Sequence, residues 1–362
     1  MKILIFNWRD IKNPNAGGSE IYFHELAKRW VKWENEVTLI CEEGDGCKNK
    51  ETIDGIKIIR ISDKAGLYLM APIVYSKLKE KPDVIIDVEN GIPFFTPFFA
   101  GAKKILHIHH VHDEVWFKEL NFIFASIGWF LEKKVMPYVY RKVPVITLSE
   151  SSKIDIKNKL KMKKVIGVVN PGIEFYPYKN VEKYKKPTIL FLNRIKKYKG
   201  LDILLKAVRE INKSQLNLDV LVAGTGDYLD KMKHYAAQNK LSNVKFLGRI
   251  SEDKKKELMQ KSWIFINPSF KEGWGIVNIE ANYFGTPVIG SDVAGIKDSI
   301  VNNKTGLLFE YGNYKQLAEK IKYLIKNRKI RENMNKNSRI WAKKFDWDKK
   351  AEDYLNILKK IR

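Results

Sequence analysis

The sequence predicts an α/β protein made of two doubly wound, Rossmann-like domains in tandem. Short, continuous apolar runs alternate with amphipathic helical patterns, as expected of parallel strands covered on both faces. The alternation breaks once, at the turn residues Asn170-Pro171-Gly172 and a polar, lysine-rich stretch at 179–186 that suits a linker, and then resumes. At 362 residues the chain is too long for one simple core and suits two.

In order, the first series places strands at 3–6, 37–40, 56–61, 84–88, 105–108, 143–148 and 165–169. A helix is expected over 19–30, with Ser19 as its N-cap and Ile21, Phe23, Leu26, Ala27 and Trp30 on its apolar face. Gly17 and Gly18 precede it, so a strand, a glycine loop and a helix N-terminus follow one another. That order offers backbone N–H groups to an anion. The second series places strands at 188–192, 219–223, 244–247, 263–266, 287–289 and 307–309. A last helix follows Asp346, whose acids Asp346 and Asp348 read as N-cap and first-turn residues.

Composition narrows the function. The net charge is +24, and residues 1–150 are nearly neutral. Residues 151–200 carry 14 basic and 3 acidic side chains, and residues 301–362 carry 17 and 7. Such concentration suits an anionic ligand, an acidic lipid surface or nucleic acid, although much of it reads as a lysine-rich solubilising surface. The basic segments have no recognisable nucleic-acid-binding signature, so no nucleic acid is expected. Cys41 and Cys47 are too few to close a structural zinc site and read as free thiols of a reducing compartment. Residues 1–7 are already strand-like, and the longest weakly polar stretches fall short of the ~20 residues of a membrane span. The expected location is cytoplasmic, with peripheral contact on a membrane's inner face as its extension.

Candidate chemistry gathers at strand ends, where open parallel sheets bind ligands. Residues 267–290 give a strand end, a loop with Glu272, Gly273 and Gly275, and a short helix bearing Glu280. Two carboxylates there suit the hydroxyls of a sugar or ribose. Arg194, Lys196, Lys197 and Lys199 follow another strand, before Gly200 opens a helix, and suit a diphosphate. Glycine turns recur at Gly224 and Gly226, and again at Gly248-Arg249-Ile250. Four of the six histidines, His107, His109, His110 and His112, lie together after the fifth strand. His107 and His109 share a strand face, and both are not expected to be simply core. The cluster reads as a cleft lining rather than a metal site, because Asp113 and Glu114 lack a ligand spacing. The aromatic stretch 119–140 suits either a membrane interface or, more often, packing on its own sheet.

In this order the motifs resemble the retaining GT-B-fold glycosyltransferases of the family 4 (group 1) type, over essentially the whole chain. They are GGSE at 17–20, NPG at 170–172 with Glu174 after it, NRIKKYKG at 193–200, AGTGD at 223–227, FLGRI at 246–250 and the long run 267–295. The last contains the family's E-x7-E spacing, Glu272 to Glu280. The resemblance implies two Rossmann-like domains facing a central cleft. Residues 1–175, completed by the C-terminal helix 346–362, would be the acceptor side, and 176–345 the nucleotide-sugar side.

It implies transfer of a hexose from a UDP- or GDP-type donor to a glycan or lipid-linked acceptor, with no cofactor and no metal. Arg194 and Lys199 would bind and neutralise the leaving diphosphate, and Glu280 the ribose. Glu272 and the backbone of Gly273, Trp274, Gly275 and Ile276 would orient the donor sugar. Gly17 and Gly18 would approach it from the first domain, Arg249 and Ile250 would lie near the base, and Gly224 and Gly226 would serve the donor loop. His109, with His110 next, would take the family's histidine role. After Gly295 the chain has Ile296-Lys297-Asp298 where the family commonly has Pro-Glu, so contacts there are not carried over. Two other functions fit parts of the pattern: a GT-B-fold sugar-nucleotide epimerase, and a non-enzymatic basic protein that binds nucleic acid or membrane.

Overall fold

The computed structural model describes residues 1–176, 181–214 and 216–361. They fall into two compact units, Met1–Gly172 with Asp346–Arg362, and Ile173–Phe345.

The first unit runs β1 (Lys2–Phe6), α1 (Gly18–Lys32), β2 (Glu36–Cys41), β3 (Lys50–Ile53), β4 (Ile56–Arg60), α2 (Lys64–Ser76), β5 (Val84–Glu89) and β6 (Lys103–Ile108). It continues through α3 (Val115–Glu119), α4 (Phe122–Phe130), a π-helical turn (Leu131–Val135), α5 (Met136–Val139), β7 (Val145–Thr147), α6 (Glu150–Lys159) and β8 (Val165–Val168). Its sheet has the order β3-β4-β2-β1-β5-β6-β7-β8, parallel except where β3 pairs antiparallel with β4. β1 and β5 are buried along almost their whole length, and apolar apart from Lys2 in β1 and Asp87 and Glu89 in β5, which is why they sit at the centre. The chain moves outward from β1, then returns to β5 on its other side. The order therefore reverses between β1 and β5, and their carboxyl ends bound a crevice.

The second unit runs β9 (Thr188–Leu192), α7 (Leu201–Asn212), β10 (Asp219–Ala223), α8 (Leu229–Gln238), β11 (Val244–Gly248), α9 (Glu252–Lys261), β12 (Ile264–Asn267) and α10 (Ile276–Tyr283). It ends with β13 (Val288–Ser291), α11 (Ile296–Ser299), β14 (Gly306–Phe309), α12 (Tyr314–Lys326) and α13 (Arg328–Ala342). All six strands are parallel in the order β11-β10-β9-β12-β13-β14, so here the reversal lies between β9 and β12. The C-terminal α14 (Trp347–Ile361) belongs to the first unit, where Trp30 donates its indole N–H to Ala351 at 2.9 Å.

The secondary structure and packing depart from the sequence expectations in four places outside the site. β3 was not anticipated: KETI is polar, lies at the sheet edge and half exposes alternate residues, so it has no apolar run. Helix α1 starts at Gly18 with Gly17 as N-cap, not at Ser19, because Glu20 at the third position accepts the Gly17 N–H at 2.7 Å. Its buried face uses Tyr22, and Ile21 is exposed. The aromatic stretch does not lie on its sheet as one helix. It breaks at Asn121, and Phe122, Ile123, Phe124, Ile127 and Phe130 of α4 are left in solvent. Of the lysine-rich stretch 179–186, residues 179 and 180 lie outside the described residues. The remainder is anchored rather than a fully solvated linker: Glu182 and Lys185 are exposed, but Lys183 Nζ donates to Thr286 Oγ1 at 2.6 Å and to the Ser262 carbonyl at 2.9 Å.

Candidate active site

In the second unit, the two strands flanking the reversal carry the charged candidates. β9 ends at Leu192, and the chain then turns through Arg194 to Lys199 before α7. β12 ends at Asn267, and Glu272 follows on the loop to α10. Lys199 is 5% exposed, and its Nζ donates to Glu272 Oε1 at 2.6 Å. Burial works to lower the Lys199 pKa, but the Glu272 carboxylate beside it holds it above the ordinary value. Ser269 Oγ donates to the same Glu272 oxygen at 3.1 Å, and Asn267 is tied to Asn278 at 2.9 Å, so the loop is fixed at both ends. Among the described residues, the exposed Arg194 guanidinium has no carboxylate partner.

Glu280 points from α10 toward α9, where its Oε1 accepts from Lys255 Nζ at 3.0 Å. Burial raises its pKa against the attraction of Lys255. Trp274 is buried with its ring 5.3 Å from Phe345, so only its backbone remains to serve a ligand. Gly273 and Gly275 are also buried, and Ile276 opens α10 behind Gly275. These residues present the N-terminus of α10 beside Glu272.

Two glycines are required by close approach. A Cβ on Gly224 (φ +129°) would lie 1.9 Å from the Asn193 carbonyl oxygen. One on Gly295 (φ +83°) would lie 2.1 Å from the Glu272 carbonyl oxygen. The loops after β10 and β13 thus press against the Arg194 and Glu272 loops and set their height. Gly226 lies on the same turn as Gly224. Arg249, after β11, is exposed, and Ile250 packs on the apolar cluster of Leu258 and Phe265.

In the first unit, Asn7 follows β1 and accepts at Oδ1 from Asn90 Nδ2 at 2.7 Å, linking the two strand ends of the crevice. Ser19, one residue beyond Gly18, lies 2.8 Å from His109 Nε2 through its Oγ. No local pattern signals that contact, because the partners are 90 residues apart. His107 and His109 are both buried, contrary to expectation, in an aromatic nest with Tyr22, Phe23 and Tyr354. Ring contacts replace the hydration that a strand-face pair would otherwise need. Burial, helped by His112, pushes the His109 pKa down to about 3, so its imidazole is neutral. His110 is half-buried, with its ring 4.6 Å from that of His112. The predicted residues therefore form two groups: Arg194, Lys199, Glu272 and the α10 N-terminus in one unit, and Gly17, Gly18, His109 and His110 in the other. Sequence reading missed Ser19 as a partner of His109, and Lys255 as a partner of Glu280.

Two kinds of comparison relate this chain to known proteins. Residues 173–341 match the family model "Glycosyl transferases group 1", and residues 16–175 match "Glycosyltransferase Family 4". An uncharacterized glycosyltransferase of Haemophilus influenzae is 25% identical over 95% of this chain and 97% of its own. The N,N'-diacetylbacillosaminyl-diphospho-undecaprenol alpha-1,3-N-acetylgalactosaminyltransferase of Campylobacter jejuni is 32% identical over 51% of this chain and 47% of its own. Among solved structures, Anabaena HepE in complex with UDP and glucose superposes with a TM-score of 0.76 at 16% identity, covering 99% of this chain and all of that one.

Proposed function

Because this chain belongs to the group 1 glycosyltransferases of GT-B fold, we propose that it moves a hexose from a UDP- or GDP-type sugar to a glycan or lipid-linked acceptor with retention of anomeric configuration. The observation that carries the reading is the buried Lys199–Glu272 pair beside an unpaired Arg194 at the β9/β12 reversal. A leaving nucleoside diphosphate gains charge in the transition state. A lysine held in place by Glu272 and an exposed arginine beside it stabilise that charge without a metal on the donor.

Glu272 holds Lys199 and, with the N–H groups at the start of α10, orients the sugar. Its engagement with a cation argues against a role as nucleophile, and the leaving phosphate takes the acceptor proton. Glu280 accepts from the ribose through the oxygen that Lys255 leaves open. Arg249 and Ile250 lie toward the base, with Gly224 and Gly226 shaping the donor loop. In the first unit, Gly17 and Gly18 keep the N-terminus of α1 open to the acceptor, and neutral His109, with His110 beside it, hydrogen-bonds an acceptor hydroxyl. The comparisons do not favour an epimerase.

A thermal-shift series tests the donor assignment. UDP, GDP and their sugars are added in turn, and the cognate one is expected to raise the melting temperature. Arg194→Ala should abolish that rise while leaving the unliganded melting temperature unchanged, since its guanidinium is exposed and has no hydrogen-bond or carboxylate partner among the described residues. An undiminished shift in the variant would remove Arg194 from the diphosphate site.

The acceptor reading extends to a membrane surface. Phe122, Ile123, Phe124, Ile127 and Phe130 expose a contiguous apolar helix face, flanked by Lys118 and Lys134. No helix among the described residues is long and apolar enough to cross a membrane. One relative is named for a diphospho-undecaprenol acceptor. Vesicles containing anionic phospholipid should therefore sediment the protein. Phe122→Ser with Phe124→Ser should weaken that binding by at least about tenfold, given roughly 1.5–3 kcal/mol for each buried phenyl ring. Equal sedimentation of both proteins would place the acceptor elsewhere.

A further inference from the structure

Beside the His109 loop, three ligating side chains converge from three different elements. Glu89 is the last residue of β5, His112 follows β6, and Glu132 sits on the π-helical turn. One ligand atom from each lies within 4.8 Å of the others. Both glutamates are fully buried.

His112 Nδ1 is 3.5 Å from Glu89 Oε1 and 3.6 Å from Glu132 Oε1. Those separations are long for hydrogen bonds, which run to about 3.2 Å. They match the edge of a tetrahedral shell, about 3.4 Å when each ligand stands ~2.1 Å from a metal.

The carboxylates are already aimed. Glu132 accepts from the N–H groups of His112 (2.5 Å) and Asp113 (3.0 Å) and from Trp116 Nε1 (3.1 Å). Glu89 Oε1 accepts from Gly91 N at 2.6 Å, while Glu89 Oε2 is buried with no hydrogen-bond partner among the described residues. Such donors fix ligand orientation as outer-shell partners do, without supplying a positive charge. The neighbouring lysines do not supply one either, because Lys133 and Lys159 both pair with Asp113 at 3.2 Å. Two buried carboxylates facing one imidazole require a cation, or a proton, to be tolerated.

We propose that Glu89, His112 and Glu132 bind one divalent transition-metal ion, which clamps the His109–Asp113 loop to β5 and the π-helical turn. A mixed imidazole and carboxylate set suits Zn2+ or Mn2+ rather than a soft-metal site. The ligands are not Asp113 and Glu114, the acids nearest in sequence, so spacing along the chain could not reveal them. The role is structural and is separate from the donor diphosphate, where Lys199 and Arg194 supply the charge.

The test uses the full-length protein, stripped with EDTA and titrated calorimetrically with ZnCl2 and with MnCl2. One ion per chain is expected for at least one metal, with a rise in melting temperature on loading. Glu89→Gln and His112→Gln should each weaken binding by at least about 10-fold, the low end for losing a ligand or its support. The nucleotide-induced thermal shift of each variant serves as the check that it is folded. Absence of stoichiometric binding to the stripped wild-type protein would overturn the proposal. So would binding that folded Glu89→Gln retains in full.

Discussion

Replacing Lys199 by alanine is expected to lower kcat by about 10²–10³-fold, the range seen when one preorganised group that stabilises developing charge is removed. The same substitution should destabilise the second unit. Lys199 and Glu272 are largely withdrawn from solvent, at 7% and 16% side-chain exposure. Breaking a buried ion pair from one side typically costs about 3–5 kcal/mol. The low end applies here, because Glu272 keeps the Ser269 hydroxyl as a partner. Glu272→Ala should cost more, since it leaves the Lys199 ammonium buried without its carboxylate. The two losses should not add in the double variant, whose measured coupling reports the pair itself. Arg194→Ala makes the contrast: an exposed cation with no carboxylate partner among the described residues should change donor affinity and leave stability alone. Steady-state kinetics and denaturation of the four variants against the wild type separate these effects. If Lys199→Ala keeps wild-type kcat, the lysine is a loop strut and the charge-stabilising role falls.

What the sequence reveals of this molecule follows from where its information is local. β9 and β10 are apolar over consecutive residues because helices cover both faces, and their limits can be read directly. β3 escapes because its residues face solvent in alternation and its stability comes from pairing with β4. Helix α1 is legible from its periodicity, but its first residue depends on whether Ser19 or Glu20 satisfies the leading N–H groups, a competition that spacing does not decide. In the site, Lys199 and Glu272 can be named singly as a strand-end cation and a loop carboxylate. Their salt bridge depends on β9 and β12 being sheet neighbours, which is a property of topology. The Ser19–His109 contact and the burial of His107 against Tyr354 likewise arise only when distant segments meet. The exposed face of α4 was visible as an aromatic stretch, yet composition alone could not say which side of it would meet water.

The buried histidines make the first unit acid-sensitive, with a definite sign. His107 is fully buried, its ring stacked on Tyr354 at 5.8 Å and its Nδ1 3.2 Å from the Tyr354 hydroxyl. Burial pushes its pKa well below the ordinary 6.5, with repulsion from His109 acting the same way. Above about pH 6.5 neither the folded nor the unfolded chain protonates it, so it contributes no slope. Below that value the unfolded chain takes up a proton that the folded chain refuses, and stability falls by about 1.4 kcal/mol per pH unit. Other groups titrate in the same window, so the informative quantity is the difference between wild type and His107→Phe. At about pH 7.5 the variant should be slightly less stable, because the Tyr354 hydroxyl loses a partner worth about 1 kcal/mol. By about pH 5.5 the variant should have gained about 1.4 kcal/mol on the wild type, and the order should level or invert. Urea denaturation of both proteins at the two pH values checks this. A difference that stays constant would mean that the folded protein protonates His107 as readily as water does, which its enclosure by Tyr22, Phe23 and Tyr354 argues against.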